Sequence, residues 1–181
     1  MTPNRYDQAA TIIGVVGGKK SGKTTTIEIL TKELSGKGYK VAVAKHIPDL
    51  NFTIDTEGKD TWRYVQSGAK TVVAASAGEI ATIEKTRSLS LRDILERCRG
   101  SEVVFLEGFR TLVALDKSVR KIVVAKSGQD VEEAMEKFQP ILVFTGPYKP
   151  QKESTKIPYI DVLKHGNKIA NLVEKIARKK R

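Results

Sequence analysis

Eight residues near the start of the chain, Gly17-Gly18-Lys19-Lys20-Ser21-Gly22-Lys23-Thr24, combine three glycines with three lysines. The spacing is G-x-x-x-x-G-K-[ST], a pattern suited to gripping a string of phosphates. Glycines let successive backbone N–H groups turn inward as a nest for an anion. A helix opening at the end of the loop adds unpaired N–H groups and the positive end of its dipole. Lys23 is placed to reach the outer phosphates as a point charge, and Thr24 to offer its hydroxyl to Mg²⁺. With Thr25 one residue further on, Gly17 to Thr25 form the candidate nucleotide-binding segment, and Mg²⁺ is the cofactor that this chemistry calls for.

Such a loop works only between a strand and a helix, and the flanking sequence supplies both. The apolar run Thr11 to Val16 (TIIGVV) precedes it. After it, Ile27, Leu30 and Leu34 recur at helical spacing from Thr24 to Ser35, and Gly36 and Gly38 end the segment. A second short strand, Val41 to Ala44, follows, so the pair reads as a parallel strand–helix–strand unit. A carboxylate at the end of another buried strand would complete a metal site. Glu107 fits that place, since it follows Val103-Val104-Phe105-Leu106 and precedes Gly108. It is the candidate metal ligand and catalytic group beside Thr24 and Lys23.

The rest of the chain alternates in the same way. A polar stretch from His46 to Lys59 has neither helical nor strand period, and long loops of this kind are often functional. Asp60 to Ser67 reads as a helix, Thr71 to Ala75 and Glu79 to Glu84 as a hairpin, and Leu91 to Arg97 as a helix capped by Ser90. Strands at Lys121 to Ala125 and Ile141 to Gly146 flank a helix at Val131 to Phe138. A closing helix from Asp161 to Ala177 carries Ile169, Leu172, Val173 and Ile176 on one face. The pattern describes an α/β protein of 181 residues in one domain: a three-layer phosphate-loop (P-loop) NTPase fold with a mostly parallel central sheet and a small antiparallel hairpin. Residues 1–10 read as a flexible lead and 178–181 as a basic tail.

Composition narrows the class. No apolar run reaches the roughly 18 residues a membrane span needs, and the start MTPNRYDQAA lacks a secretory layout. A lone cysteine, Cys98, provides neither a disulfide framework nor a cysteine-rich metal site. A cytoplasmic protein is expected. The net charge of +11 is concentrated late: ten basic and three acidic residues lie between Lys149 and Arg181. No aromatic–basic pattern accompanies it, so a nucleic-acid partner is not expected.

The pieces Lys45-His46, Asp55, Gly58-Lys59-Asp60, Arg63, Gly68-Ala69 and Leu106-Glu107-Gly108-Phe109-Arg110 follow the phosphate loop in order, over a little more than half the chain. In this combination the sequence resembles the molybdopterin-guanine dinucleotide biosynthesis protein B (MobB) family. The resemblance implies a GTP-binding homodimer with slow intrinsic GTPase activity. Its partner would be the guanylyltransferase that joins GMP to molybdopterin. On that basis Lys23, Thr24 and Glu107 handle phosphate and magnesium, while Asp60, assigned a catalytic role, and Arg63 line a cleft. Lys45, His46 and Asp55 would face a second ligand. Each has a plainer alternative: His46 as a hydrogen-bonded loop residue, Asp60 as a helix cap, Arg63 as a surface charge. Family members often carry further histidines after the first, whereas Pro48-Asp49 stand there in this chain, which disfavours a histidine metal cluster.

No N-K-x-D signature for the base occurs. The candidate base-recognition segment is Thr145-Gly146-Pro147, because ligands bind beyond the carboxyl ends of parallel strands. The preference for GTP over ATP therefore rests on the resemblance. A small-molecule kinase or ATP-dependent ligase built on the same loop is the competing expectation. A metal-insertion GTPase, which needs paired Cys or His ligands, is weaker.

Overall fold

The computed structural model describes residues 10–86, 88–150 and 156–179. Residues 1–9 of the expected flexible lead, and 180 and 181 of the basic tail, lie outside the described residues. The chain divides into two compact units. One comprises the residues up to His46 together with those from Ser90 onward; the other is Ile47–Leu89.

The larger unit is built on a five-stranded sheet of β1 (Thr11–Gly17), β2 (Val41–Lys45), β5 (Val103–Glu107), β6 (Arg120–Val124) and β7 (Ile141–Thr145). The spatial order is β2-β5-β1-β6-β7, and every adjacent pair is parallel. Parallel sheets need cover on both faces, and the two-residue period of these strands divides their side chains between two cores. Ile12, Val16, Val104, Leu106 and Val123 face helices α3 (Leu91–Arg97) and α5 (Gly128–Lys137). Ile13, Val15, Phe105, Ile122 and Val124 face α1 (Lys23–Gly36) and α6 (Val162–Arg178) through Ile27, Leu30, Ile169 and Val173. The result is three layers, as the alternation predicts.

Capping fixes where the helices start. The Ser90 hydroxyl accepts from the Asp93 N–H, and Ser127 likewise from Asp130, which starts α5 at Gly128 rather than at the first apolar residue, Val131. The short α4 (Arg110–Val113), directly after the Glu107-Gly108 turn, has no apolar period to announce it. In the smaller unit, α2 (Asp60–Gln66) precedes a hairpin of β3 (Thr71–Ala75) and β4 (Ile80–Glu84), closed by Ser76 N–H donating to Glu79 O at 2.8 Å.

A lysine side chain is sealed inside the larger unit. Lys121 on β6 is wholly buried, its ammonium donating to Asp116 O at 2.7 Å and Gln139 O at 2.5 Å. These bonds satisfy the head group, yet burial pulls its pKa down to about 8, against a smaller upward pull from Asp116. The folded chain releases this proton near pH 8, whereas the unfolded chain holds it to about 10.5. The unfolded chain thus binds more protons between those values, and stability contributed at this site rises with pH across the window. Chemical denaturation of wild type and Lys121→Met from pH 7 to 10.5 should show wild type gaining on the variant above pH 8. A pH-independent difference would refute a titrating Lys121.

Candidate functional site

Because the strands are parallel, their carboxyl ends share one edge. Lys45 lies in register with Glu107, Gly17 with Val124, and Val124 with Thr145. Chemistry placed at this edge is fixed by the sheet.

The chain leaves β1 through a turn that packs directly on β6. A Cβ on Gly17 would lie 2.4 Å from Val124 O and 2.8 Å from Ser21 Oγ, so a side chain there collides with backbone. At the far end of the loop Gly22 has φ 98°, a left-handed conformation that favours glycine. Gly22 is also the N-cap of α1, with no side-chain cap, and the first turn carries no acidic residue. The opening N–H groups of α1 are thereby left for a ligand, and the Ser21 hydroxyl is buried without a hydrogen-bond partner. An anion suits both features.

The side chains follow suit. Lys23 lies back along its own loop, donating to Gly18 O at 2.6 Å and Gly17 O at 3.3 Å. Thr24 Oγ1 donates to Glu107, 3.2 Å from Oε1 and 3.3 Å from Oε2. Glu107 is 8% exposed, and Lys45 Nζ stands 3.5 Å from its Oε1. Burial lowers the Lys23 pKa, and the cations Arg110, Lys45 and Lys126 lower it further against the opposing pull of Glu107. The edge thus holds more positive than negative charge close to Lys23.

No motif marks Lys126, and Arg110 ends the Leu106–Arg110 piece without a role of its own. Lys126 follows β6, and its Nζ donates to Lys19 O at 3.3 Å, which sets it against the phosphate loop. Arg110 opens α4 and stacks over the Phe138 ring at 5.4 Å. For Lys126, a cation just past the end of a predicted strand is the signal in the sequence, and it has force only once the strand order is known.

The other predicted residues fall in three places. His46 continues the β2–β5 ladder by donating its N–H to Glu107 O at 2.9 Å, and its ring tilts against Phe109 at 5.4 Å. Thr145 is buried, with Oγ1 accepting from Val162 N–H at 3.1 Å, so its side chain holds the start of α6. Gly146 and Pro147 line a cleft of about 520 Å³ beside the loop. Asp55, Asp60 and Arg63 belong to the smaller unit. There Asp55 Oδ1 accepts from Thr61 Oγ1 at 2.7 Å, and Asp60 pairs with Arg63 at 3.6 Å, both largely exposed. Asp60 is the first residue of α2 and Lys59 its N-cap, so Asp60 favours the helix through the dipole, without capping it.

Comparison with known proteins identifies the kin of this arrangement. The family model for molybdopterin guanine dinucleotide synthesis protein B matches residues 12–145. The chain belongs to the MobB family. A molybdopterin-guanine dinucleotide biosynthesis adapter protein of Haemophilus influenzae is 33% identical over 102 residues, 55% of this chain and 57% of the relative. A protein of Methanocaldococcus jannaschii, provisionally named as such an adapter, is 38% identical over 118 residues, 64% of this chain and 47% of the relative. The matches thus span about half the length of these MobB relatives. In three dimensions the crystal structure of Bacillus subtilis MobB superposes with a TM-score of 0.70 at 24% identity, covering 90% of this chain and 97% of that one. This likeness supports the α/β layering. Among the described residues, no helix is long and apolar enough to cross a membrane.

Removing the Lys23 ammonium takes one cation from a crowd of cations, so Lys23→Ala should leave the melting temperature unchanged or raised. Nucleotide affinity should fall by about a hundredfold or more, as expected for losing a charge-assisted phosphate contact at a preformed site. Thermal melts with calorimetric titration of nucleotide check both parts; wild-type affinity in the variant would show that the loop does not hold phosphate.

Proposed function

We propose that this protein is a Mg²⁺-dependent GTP-binding adapter of molybdenum-cofactor maturation in the cytoplasm. It assists the conversion of molybdopterin to molybdopterin-guanine dinucleotide and turns GTP over slowly. The observation that carries the proposal is the constellation at the sheet edge: Lys23 on the loop, Thr24 bonded to Glu107, and Lys45 beside that carboxylate. Family membership gives the constellation its biosynthetic setting.

The donor set fits magnesium. Thr24 and Glu107 are hard oxygen ligands, and among the described residues no cluster of three His, Cys, Asp or Glu forms a protein cage. Mg²⁺ characteristically takes only one or two protein oxygens and completes its shell with water and phosphate. Bound there, it would neutralise charge between the outer phosphates. The chain's own groups do the remainder. The N–H groups at the start of α1 hold the phosphate oxygens, Lys23 and Lys126 balance the outer charge, and Glu107 orients the Thr24 hydroxyl. In this proposal Asp55 and Arg63 serve the second ligand, the anionic pterin, in a homodimer that docks with the guanylyltransferase.

Titration with Mg-GTP and Mg-ATP should give tighter binding of GTP, and Glu107→Gln should weaken the magnesium dependence by about tenfold. Reconstitution with a guanylyltransferase and molybdopterin should raise the dinucleotide yield. Preference for ATP with turnover on a small acceptor would instead make the chain a kinase or ligase.

A further inference from the structure

Beside the phosphate loop, the cleft of about 520 Å³ opens between the beginning of α1 and the β7–α6 connection. Lys20, Gly22 and Thr25 form its loop side, and Pro147, Asp161 and Leu163 stand on the other. Leu163, in the first turn of α6, is 74% exposed, so it offers a large apolar surface beside the cleft. Proline and leucine at such a wall suit the face of a flat ring, and 520 Å³ lies in the range of small-molecule sites.

The polar groups of the cleft have a definite sense. Asp161 contributes a carboxylate, an acceptor only. Its Oδ1 accepts from Leu163 N–H at 3.1 Å as the α6 cap, and an ionised carboxylate has further acceptor capacity. Lys149 and Lys164, donors only, line the same space. A ring matched to this set presents two adjacent donors to the carboxylate and an acceptor to an ammonium. Guanine does so, with N1–H and the N2 amine next to O6. Adenine offers an acceptor at N1 toward the carboxylate and an amine where the lysines need an acceptor.

We infer that Asp161 reads the guanine edge and is the residue that selects GTP over ATP, with Pro147 and Leu163 enclosing the ring and a lysine at 149 or 164 meeting O6. This inference rests on the GTP-binding proposal and adds the base site to it. The carboxylate is held in place for the task. Tyr159 donates to Gly146 O at 2.5 Å, Ile160 N–H donates to Phe144 O at 2.9 Å, and Thr145 Oγ1 accepts from Val162 N–H, so the residues on either side of Asp161 are tied to the end of β7.

Asp161→Asn separates recognition from folding, because asparagine caps a helix as well as aspartate does. Calorimetric titrations with the magnesium complexes of GTP, ITP, ATP and XTP, alongside thermal melts, make the test. Wild type should bind GTP about tenfold more tightly than ITP, which lacks the N2 amine, a ratio consistent with one hydrogen bond to a charged group. In Asp161→Asn, GTP binding should weaken about ten- to a hundredfold, the GTP-to-ITP ratio should fall to near one, and XTP should bind better than to wild type. The amide would then donate to the xanthine O2 while its carbonyl accepts from N1–H. A wild type that binds GTP while Asp161→Asn keeps the same affinity and ratio overturns the inference and leaves the GTP proposal standing. A wild type that does not distinguish GTP from ATP overturns both.

Discussion

Several cations are held close to one buried carboxylate at the end of this sheet, and the rest of the structure serves that arrangement. Lys23 feels Arg110, Lys45 and Lys126 along with Glu107, and it is already partly withdrawn from water. On a mobile loop such charges would move apart and be screened. Here they are anchored at the ends of β2 and β6 and at the openings of α1 and α4, so the excess positive field cannot relax by movement. A polyanion arriving at the edge meets backbone donors already in position at the start of α1, while Lys23 has to turn away from the Gly17 and Gly18 carbonyls. That preorganisation is derived from a largely aliphatic core, in which Val, Ile and Leu hold the strands in register.

The sheet order determines which residues can take part. β1 lies between β5 and β6, so the loop leaving β1 is flanked by Glu107 on one side and Val124 on the other. The Glu107 side supplies the carboxylate that orients Thr24. The other side supplies the carbonyl against which Gly17 packs, then Lys126. A side chain at position 17 would separate the loop from β6 and draw Lys126 away from Lys19 O. The carboxylate and the cation Lys126 are therefore placed by the two strands that flank β1, with the loop between them.

Local features of the sequence disclose one part of this and conceal another. β1, the glycine–lysine loop and α1 are adjacent in the chain, and each carries its own pattern, so the phosphate grip can be read directly. Leu91 to Arg97 is legible to the residue because Ser90 caps it and its apolar period is clean. Glu107 is legible because a run of four buried residues leads into it. Arg110 ends the same short piece as Glu107, whereas Lys126 belongs to the site only through the order β2-β5-β1-β6-β7, a non-local property that no window of sequence contains. Thr145 shows the converse. Its position at a strand end marks it for ligand recognition, yet its hydroxyl is used on Val162 N–H; Gly146 and Pro147 beside it do line the cleft, and the carboxylate there, Asp161, lies sixteen positions on from Thr145. Asp55, Asp60 and Arg63 are legible as a group, and they lie together in the smaller unit.

The β7–α6 connection shows why selectivity can reside in a stretch so poor in motif. Discrimination between two purines depends on placing an acceptor within a few tenths of an ångström, and a loop that moves freely cannot do this. Phe144 and Tyr159 form a parallel bridge beside β7, and the Tyr159 hydroxyl ties down Gly146 O across the same connection. Asp161 follows two residues later, and its carboxylate is oriented by the first N–H groups of α6. Those N–H groups need an acceptor whatever the protein binds, so the cap would be favoured for folding alone. The same bond that serves the backbone also fixes one carboxylate oxygen of a residue that lines the cleft. Folding and recognition thus share one side chain at this position, and an amide there would preserve the first role while reversing the donor pattern of the second.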